Sequence, residues 1–294
     1  MADVTLRTWA AAEYHADARL SRSRLAVFED SPRLYDGLYN TRSLPEPAPT
    51  ATMEFGTLAH MAVLEPHDWQ RYVADVEQRL VVKPKFTGKG ARSAEAAWRA
   101  ALPANAMVVT PTQRWNLRED HARVEAVARA VLAHPGARRI LDSSEREVTY
   151  TWRDTDPELR APLECRSRLD LLHVSHTRAV ITDLKTAADP SPAAFARALA
   201  NHRYHWQAPF YSAPVLEATG LVPLFGFIVV RSEPPHEVAV YQLRPEDIAA
   251  ADAQVRRALR RLSVCIETNN WAAPWESRAQ VLDVPRWALQ EQVA

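Results

Sequence analysis

The stretch ECRSRLDLLHVSHTRAVITDLK, residues 164–185, holds two runs rich in β-branched and aliphatic residues joined by a short polar segment, HVSHT. That pattern reads as a β-hairpin. Side chains alternate along a strand, so Arg166, Arg168 and Asp170 share one face of the first run. Asp183 and Lys185 share one face of the second, and Leu184 points away. Pairing Asp170 near Ile181 sets Asp183 opposite Arg168, with the two acids diagonal on one face and close enough to share an ion. A one-residue slip would send them to opposite faces. Adjacent carboxylates repel, and Mg²⁺, which takes oxygen ligands and keeps waters, is the natural counter-charge. Lys185 would sit beside it as an ammonium able to orient a water or stabilise developing charge. A bare Asp-x-Lys also occurs on ordinary solvent-facing hairpins. Here the apolar run AVIT leads straight into Asp183, which places the pair at the end of a strand beside a core. Arg166 and Arg168 suit a phosphate-bearing ligand.

Outward from this hairpin, EREVTYTW (145–152) alternates, with Val148, Tyr150 and Trp152 on one side and Glu147, Thr149 and Thr151 on the other. It reads as a preceding strand. Upstream the pattern is helical. Ser21 or Ser23 can cap a helix through RLAVFED that Ser31-Pro32 ends, and RLYDGLY can form another. TRSLPEPAPTAT (41–52) is a proline-rich loop. A helix over Met53–Leu64 is closed by Glu65-Pro66, and an amphipathic helix spans 112–134 up to Pro135-Gly136. VVKPKFTGKGARS (81–93) carries Lys83, Lys85, Lys89 and Arg92 with no acid, a loop that could touch a DNA backbone or be simply solvated. Downstream, Ser191-Pro192 opens helices to about residue 218. Strands at 222–230 and 237–243 follow, and a helix begins at Pro245. The order implies an α/β architecture around one mixed sheet flanked by helices. We expect one domain over 1–294, with a mainly helical part (1–140), a core (141–270) and a C-terminal tail (271–294).

Composition bounds the function. Basic and acidic residues balance at 36 each, so no whole-molecule basic field speaks for nucleic acid, although a local groove suffices. Two cysteines, Cys165 and Cys265, are too few for a four-cysteine metal site and read as inert thiols. No apolar run approaches the roughly 18 residues of a membrane span. Asp3, Glu13 and Asp17 near the N-terminus argue against a targeting peptide, and a cytoplasmic location is the expectation.

Asp170 … Asp183-Leu184-Lys185 resembles the signature of the PD-(D/E)xK nuclease superfamily, with Leu169 where a proline often stands. More narrowly, the chain resembles the RecE branch, exodeoxyribonuclease VIII and its phage-borne relatives. GTLAHMAVLEP (56–66) is similar to that family's Gly-Thr-x-x-His helix, CRSRLDLL with ITDLKTAADPSPAAF to its nuclease core, and YHWQAPFY (204–211) to its Gln-x-x-x-Tyr motif. The resemblance runs from about Ser21 to about Leu243.

What it implies is a restriction-endonuclease-like fold and a Mg²⁺ site, with Mn²⁺ able to substitute. Asp170, Asp183, His60 and the Leu184 carbonyl would be ligands or near neighbours of the ion, and Lys185 the catalytic cation. Gln207 and Tyr211, four apart and so on one helix face, would position DNA, aided by Arg166 and Arg168. Pro209 inside that stretch makes the placement of Gln207 depend on where the helix begins. Glu147 matches a recurrent acid of the family, with Glu158 and Glu164 as nearby alternatives.

The resulting expectation is a 5′→3′ exonuclease acting on ends of linear double-stranded DNA in recombination or end resection. It would work as a homo-oligomer beside a single-strand annealing protein. A nuclease of the same fold acting as an endonuclease or on single strands stays open, as does a DNA-end-binding protein without catalysis.

Overall fold

The computed structural model describes residues 4–273, 275, 276, 279 and 281–284, so most of the expected tail lies outside the described residues. Strand β1 (Thr5–Arg7) and helix α1 (Ala11–Ala16) come first. Side-chain caps then set the helix starts. Ser21 accepts from the Arg24 N–H at the head of α2 (Arg22–Asp30), and Ser31 from Leu34 N–H at α3 (Pro32–Tyr35), which runs on as a wider turn to Asn40. Thr50 caps α4 (Ala51–Leu64). Glu65-Pro66 stops α4 and also starts α5 (Pro66–Arg79), because proline at the first helical position gives up no needed donor.

Strands β2 (Leu80–Val82) and β3 (Met107–Val109) form a separate parallel pair around α6 (Ala91–Ala100), where the sequence suggested only loop. Lys83 from that segment pairs with Glu95 at 2.6 Å, so its charge is locally neutralised. A reciprocal Thr110–Gln113 capping box opens α7 (Pro111–Ala133), and Pro135 begins α8 (Pro135–Ser143).

The main sheet follows: β4 (Glu145–Asp154), β5 (Leu163–Val174), β6 (Ala179–Ala187), then α9 (Pro192–Asn201), α10 (Gln207–Thr219), β7 (Leu224–Arg231), β8 (Val238–Gln242) and α11 (Pro245–Thr268). The strand order is β1-β4-β5-β6-β7-β8, parallel only between β6 and β7. This mixed sheet flanked by helices is the expected α/β, restriction-endonuclease-like architecture. One apolar cluster joins Val148, Trp152, Leu169, Ile181 and Phe227 to Leu25, Phe210 and Leu259. On the opposite face Leu171, Leu184 and Ile228 pack with Ala59, Val124 and Leu141. At Gly226 an added Cβ would lie 2.6 Å from the Tyr241 carbonyl oxygen, so only glycine lets β7 and β8 approach this closely.

The hairpin register differs from the sequence-based pairing. Leu171 pairs with Thr182 and Leu172 with Ile181, a shift of two residues. His173 and Val174 belong to the strand, and the turn is the tighter Ser175–Arg178, closed by Ser175 N–H to the Arg178 carbonyl at 2.8 Å. An even shift keeps each side chain on its face and brings Asp170 and Asp183 to the step just past the last pair, Leu171–Thr182.

The β5–β6 ladder covers only residues 171–174 against 179–182. Beyond it, Asp170 Oδ2 accepts the Leu184 N–H at 2.7 Å, and the two strands part. The freed edge of β5 takes Leu20, whose N–H donates to Glu164 and whose carbonyl accepts from Arg166 N–H, both at 2.8 Å. β6 keeps β7 on its other side, and α10 packs against β4, β5 and β6 at the fork.

Leu184, fully buried at the fork, is the position where packing and site geometry meet. Leu184→Ala is expected to cost about 2–5 kcal/mol as a large-to-small core change. Trp115→Ala, at a ring 65% exposed, is expected to change stability by less than about 0.5 kcal/mol. Urea unfolding midpoints measure both, and a Leu184→Ala midpoint equal to wild type would contradict this packing.

Candidate metal centre

Three neighbouring strands each bring one acid to the same level of the sheet. Arg146 pairs with Leu171 and Val148 with Leu169, which sets Glu147 across from Asp170. Asp170 and Asp183 come one step past the last β5–β6 pair, Leu171–Thr182, and flank the point where the strands part. Glu147 has φ 55°, a left-handed conformation uncommon for a non-glycine residue and characteristic of functional strain. From α4, His60 Nδ1 reaches to 3.4 Å from Asp170 Oδ2. Ligand atoms of His60, Glu147 and Asp170 all lie within 4.8 Å of one another. Gly56, one turn earlier, faces β6, where an added Cβ would meet Thr186 Oγ1 at 3.4 Å. Thr57 is turned to its own helix, donating to the Met53 carbonyl. These groups line a pocket of about 360 Å³.

The charges in this pocket do not balance. Glu65, Glu147, Asp170 and Asp183 face two cations, Arg168 and Lys185. Arg168 binds Glu147 and, at 3.2 Å, Glu65, while Lys185 binds Asp183. Fully ionised, these groups carry two more negative than positive charges, and Arg22, which also lines the pocket and pairs with no acid among the described residues, offsets one of them. Burial, and then the neighbouring Asp183, push Asp170 up to about 8. Burial, and then Asp170, push Glu147 up to about 7. Burial and the Lys185 charge lower His60, which leaves its imidazole neutral and able to ligate. Among the described residues no hydrogen-bond donor reaches Asp170 Oδ1. Two carboxylates and an imidazole around an oxygen open to the pocket fit a hard or borderline divalent cation such as Mg²⁺ or Mn²⁺.

Asp183 is engaged differently. Its Oδ1 accepts from Gln207 Nε2 at 2.6 Å and its Oδ2 is held by Lys185. Gln207 Nε2 also lies 3.3 Å from Tyr211 Oη, and the Gln207 Oε1 is buried without a partner among the described residues. α10 begins at Gln207, so Pro209 falls in its first turn, where its missing N–H costs nothing. Burial raises the Tyr211 hydroxyl and keeps it protonated. Lys185 Nζ sits 4.7 Å from the centre of the Tyr204 ring.

Of the residues expected at the site, Asp170, His60 and Glu147 converge, with Asp183 and Lys185 beside them. Leu184 contributes its N–H, and its side chain is buried on the opposite face. Arg168 is absorbed by the two glutamates, whereas Arg166 lies 4.4 Å from the centre of the Tyr14 ring. Glu158 pairs with Arg260 at 2.7 Å and Glu164 faces Arg153 at 3.9 Å, both apart from the cluster. Glu65, Tyr14 and Tyr204 were not anticipated. Glu65 read only as a helix stop before Pro66, and no local pattern links it to Arg168, 103 positions away.

The raised carboxyl values have a consequence for the metal-free protein. A carboxyl whose folded-state value is raised favours folding most fully below its unfolded value of about 4, and that contribution is lost as pH rises through the folded value. In EDTA, the Tm is expected to decline toward pH 8 on account of Asp170 and Glu147. Asp170→Asn should flatten the decline, and divalent metal should restore wild-type Tm above pH 8. Parallel Tm–pH curves for wild type and Asp170→Asn in EDTA would refute the assignment of buried, uncompensated charge.

Residues 21–279 match the family model described as "PDDEXK-like domain of unknown function (DUF3799)". A solved structure described as a "Putative exonuclease" from Eubacterium rectale, at 2.19 Å, aligns with TM-score 0.59 and 12% identity, covering 98% of this chain and 100% of that one. At that identity it shows the fold. A second structure, SSO0001, gives TM-score 0.29 at 15% identity over 54% of this chain and 69% of its own, too low to bear on fold or function. No curated protein matches the chain. The match over 21–279, with the forked sheet and its row of acids, shows that the chain belongs to the PDDEXK-like family, within the PD-(D/E)xK nuclease superfamily.

Proposed function

We propose that this protein is a divalent-metal-dependent nuclease that hydrolyses phosphodiester bonds at the ends of linear double-stranded DNA, as a 5′→3′ exonuclease in recombination or end resection. The observation that carries the nuclease reading is the convergence of His60, Glu147 and Asp170 beside an Asp183–Lys185 pair. The end-directed activity draws on the RecE-like motifs and on the name of the Eubacterium rectale relative.

In this proposal Asp170, His60 and Glu147, with Asp183 and the Leu184 carbonyl, would hold Mg²⁺ or Mn²⁺. A bound divalent ion supplies Lewis acidity toward a phosphoryl oxygen and lowers the pKa of water. The chain's own groups do the rest. Arg168 pins Glu147 and Glu65, so the carboxylates keep their orientation when DNA enters. Gln207, steadied by Tyr211, fixes one oxygen of Asp183. Lys185 brings a positive charge to the place where negative charge grows on the phosphate. A homo-oligomer working beside a single-strand annealing protein in the cytoplasm, within one nuclease domain, completes the proposal. Among the described residues no helix is long and apolar enough to cross a membrane.

Linear duplexes labelled at either end, incubated with Mg²⁺ or with EDTA, are expected to shorten progressively from the 5′ ends with Mg²⁺ alone. Covalently closed circles should stay intact, and their cutting would replace the exonuclease by an endonuclease. Lys185→Ala and Asp183→Ala are expected to lower kcat by about 10²–10³-fold while remaining folded. Wild-type rates in either variant would remove that residue from the mechanism.

A further inference from the structure

Arginines away from the metal centre are mostly seated on acids: Arg118 on Glu77, Arg256 on Asp154 and Arg261 on Glu29, at 2.6–2.8 Å. Around the mouth of the site the seats change. Arg166 lies 4.4 Å from the centre of the Tyr14 ring, Arg24 lies 4.8 Å from that of Tyr39, and Arg22 lies 5.9 Å from that of Tyr204. Among the described residues none of these three pairs with a carboxylate. Arg24 is held by the Ala18 and Arg19 carbonyls and Arg22 by the His202 carbonyl, neutral groups that orient a guanidinium without cancelling it. Arg166 is 3% exposed, and its Nε and Nη1 have no partner among the described residues. A buried cation without an acid is costly, and such a cost is characteristic of a site awaiting an anion.

The layout gives that anion a shape. Arg22 lines the pocket of the metal centre. A second pocket of about 300 Å³ is lined by Arg24, Arg42 and Tyr39, with Glu46 as its one carboxylate, and His15 lines both pockets. Arg42 is exposed, has φ 51° and pairs with no acid among the described residues. A row of uncancelled guanidiniums, spread over two adjoining pockets and interleaved with aromatic rings, suits a chain of phosphates with bases, more than a single compact anion.

We infer that Arg22, Arg24 and Arg42 form a phosphate track that grips the nucleic-acid strand beyond the scissile phosphate, leading from the metal centre past His15, with the buried charge of Arg166 behind Tyr14. It rests on the nuclease reading above and adds to it the path of the strand. The aromatic seats keep the guanidiniums ordered at little cost in charge. Each contact made by the track should release counterions, so it registers in the salt dependence of binding.

The experiment is anisotropy of a 3′-labelled oligonucleotide, single-stranded and duplex, titrated with the full-length protein in EDTA at several NaCl concentrations. Arg24→Gln and Arg42→Gln should each flatten the plot of log affinity against log salt by about 0.7 on single strands or about 0.9 on duplex. Arg24→Lys should keep the wild-type slope. Arg178→Gln, an exposed arginine in the β5–β6 turn, should leave the slope unchanged. Arg166→Gln is read only if its Tm is wild type, and the half-buried Arg24 and exposed Arg42 decide the matter without it. Wild-type slopes in both Arg24→Gln and Arg42→Gln, or an equal loss in Arg178→Gln, overturn the track while leaving the nuclease reading standing. A wild-type protein that binds no nucleic acid sinks the nuclease reading itself.

Discussion

The hydrogen bond from the Leu184 N–H to the Asp170 carboxylate is the contact on which the centre of this protein depends. Inside a β-sheet that N–H would ordinarily meet a backbone carbonyl. Here a side chain takes the carbonyl's place, so β5 and β6 part company one residue beyond their last paired positions. The fork has two consequences. It leaves an edge on β5 that the chain covers with Leu20, and it opens a gap at which α10 docks with Gln207 at its head. Buried backbone groups must be paired, and the way this fork pairs them also gathers the acids.

Those acids sit at a level of the sheet where the protein by itself is not at ease. Four carboxylates share two cations, the Asp170 carboxyl is pushed far above its ordinary range, and Glu147 adopts a backbone conformation that few residues other than glycine accept. Stability and function pull in opposite directions here, as they commonly do where a site is built to hold a ligand's charge. Arg168 limits the damage. It is nearly buried between Glu147 and Glu65, so it serves the shape of the site, and the sequence's suggestion that it faces DNA gives way to that geometry.

The same logic separates two populations of arginine. With charges balanced overall, electrostatics alone says little about partners. The placement of each guanidinium says more. On the outer helices most of them rest on carboxylates, which cancels them. Beside the metal centre they rest on Tyr14, Tyr39 and Tyr204, which orients them and leaves the charge available. Tyr204 carries both Arg22 and Lys185, so one ring joins the row of uncancelled arginines to the cluster of acids.

By itself the sequence determined what short-range rules govern. The capped helix starts at Ser21 and Thr50, the alternation of β4, the faces of Asp183 and Leu184, and the one-turn spacing of Gln207 and Tyr211 are all set within a few residues of chain. The motif order also pointed to the family. Tertiary structure decided what depends on distant segments meeting. The tight Ser175–Arg178 turn moved the hairpin register by two, Glu147 was chosen over Glu158 and Glu164, and Glu65 was recruited from the end of α4. Proline before a helix can end one element or begin the next, and only packing tells which, so α5 and α8 were hidden. An ion-binding cluster is a coincidence in space of side chains from β4, β5 and α4. Local periodicity carries the faces of those elements, and their docking alone carries the distances between them.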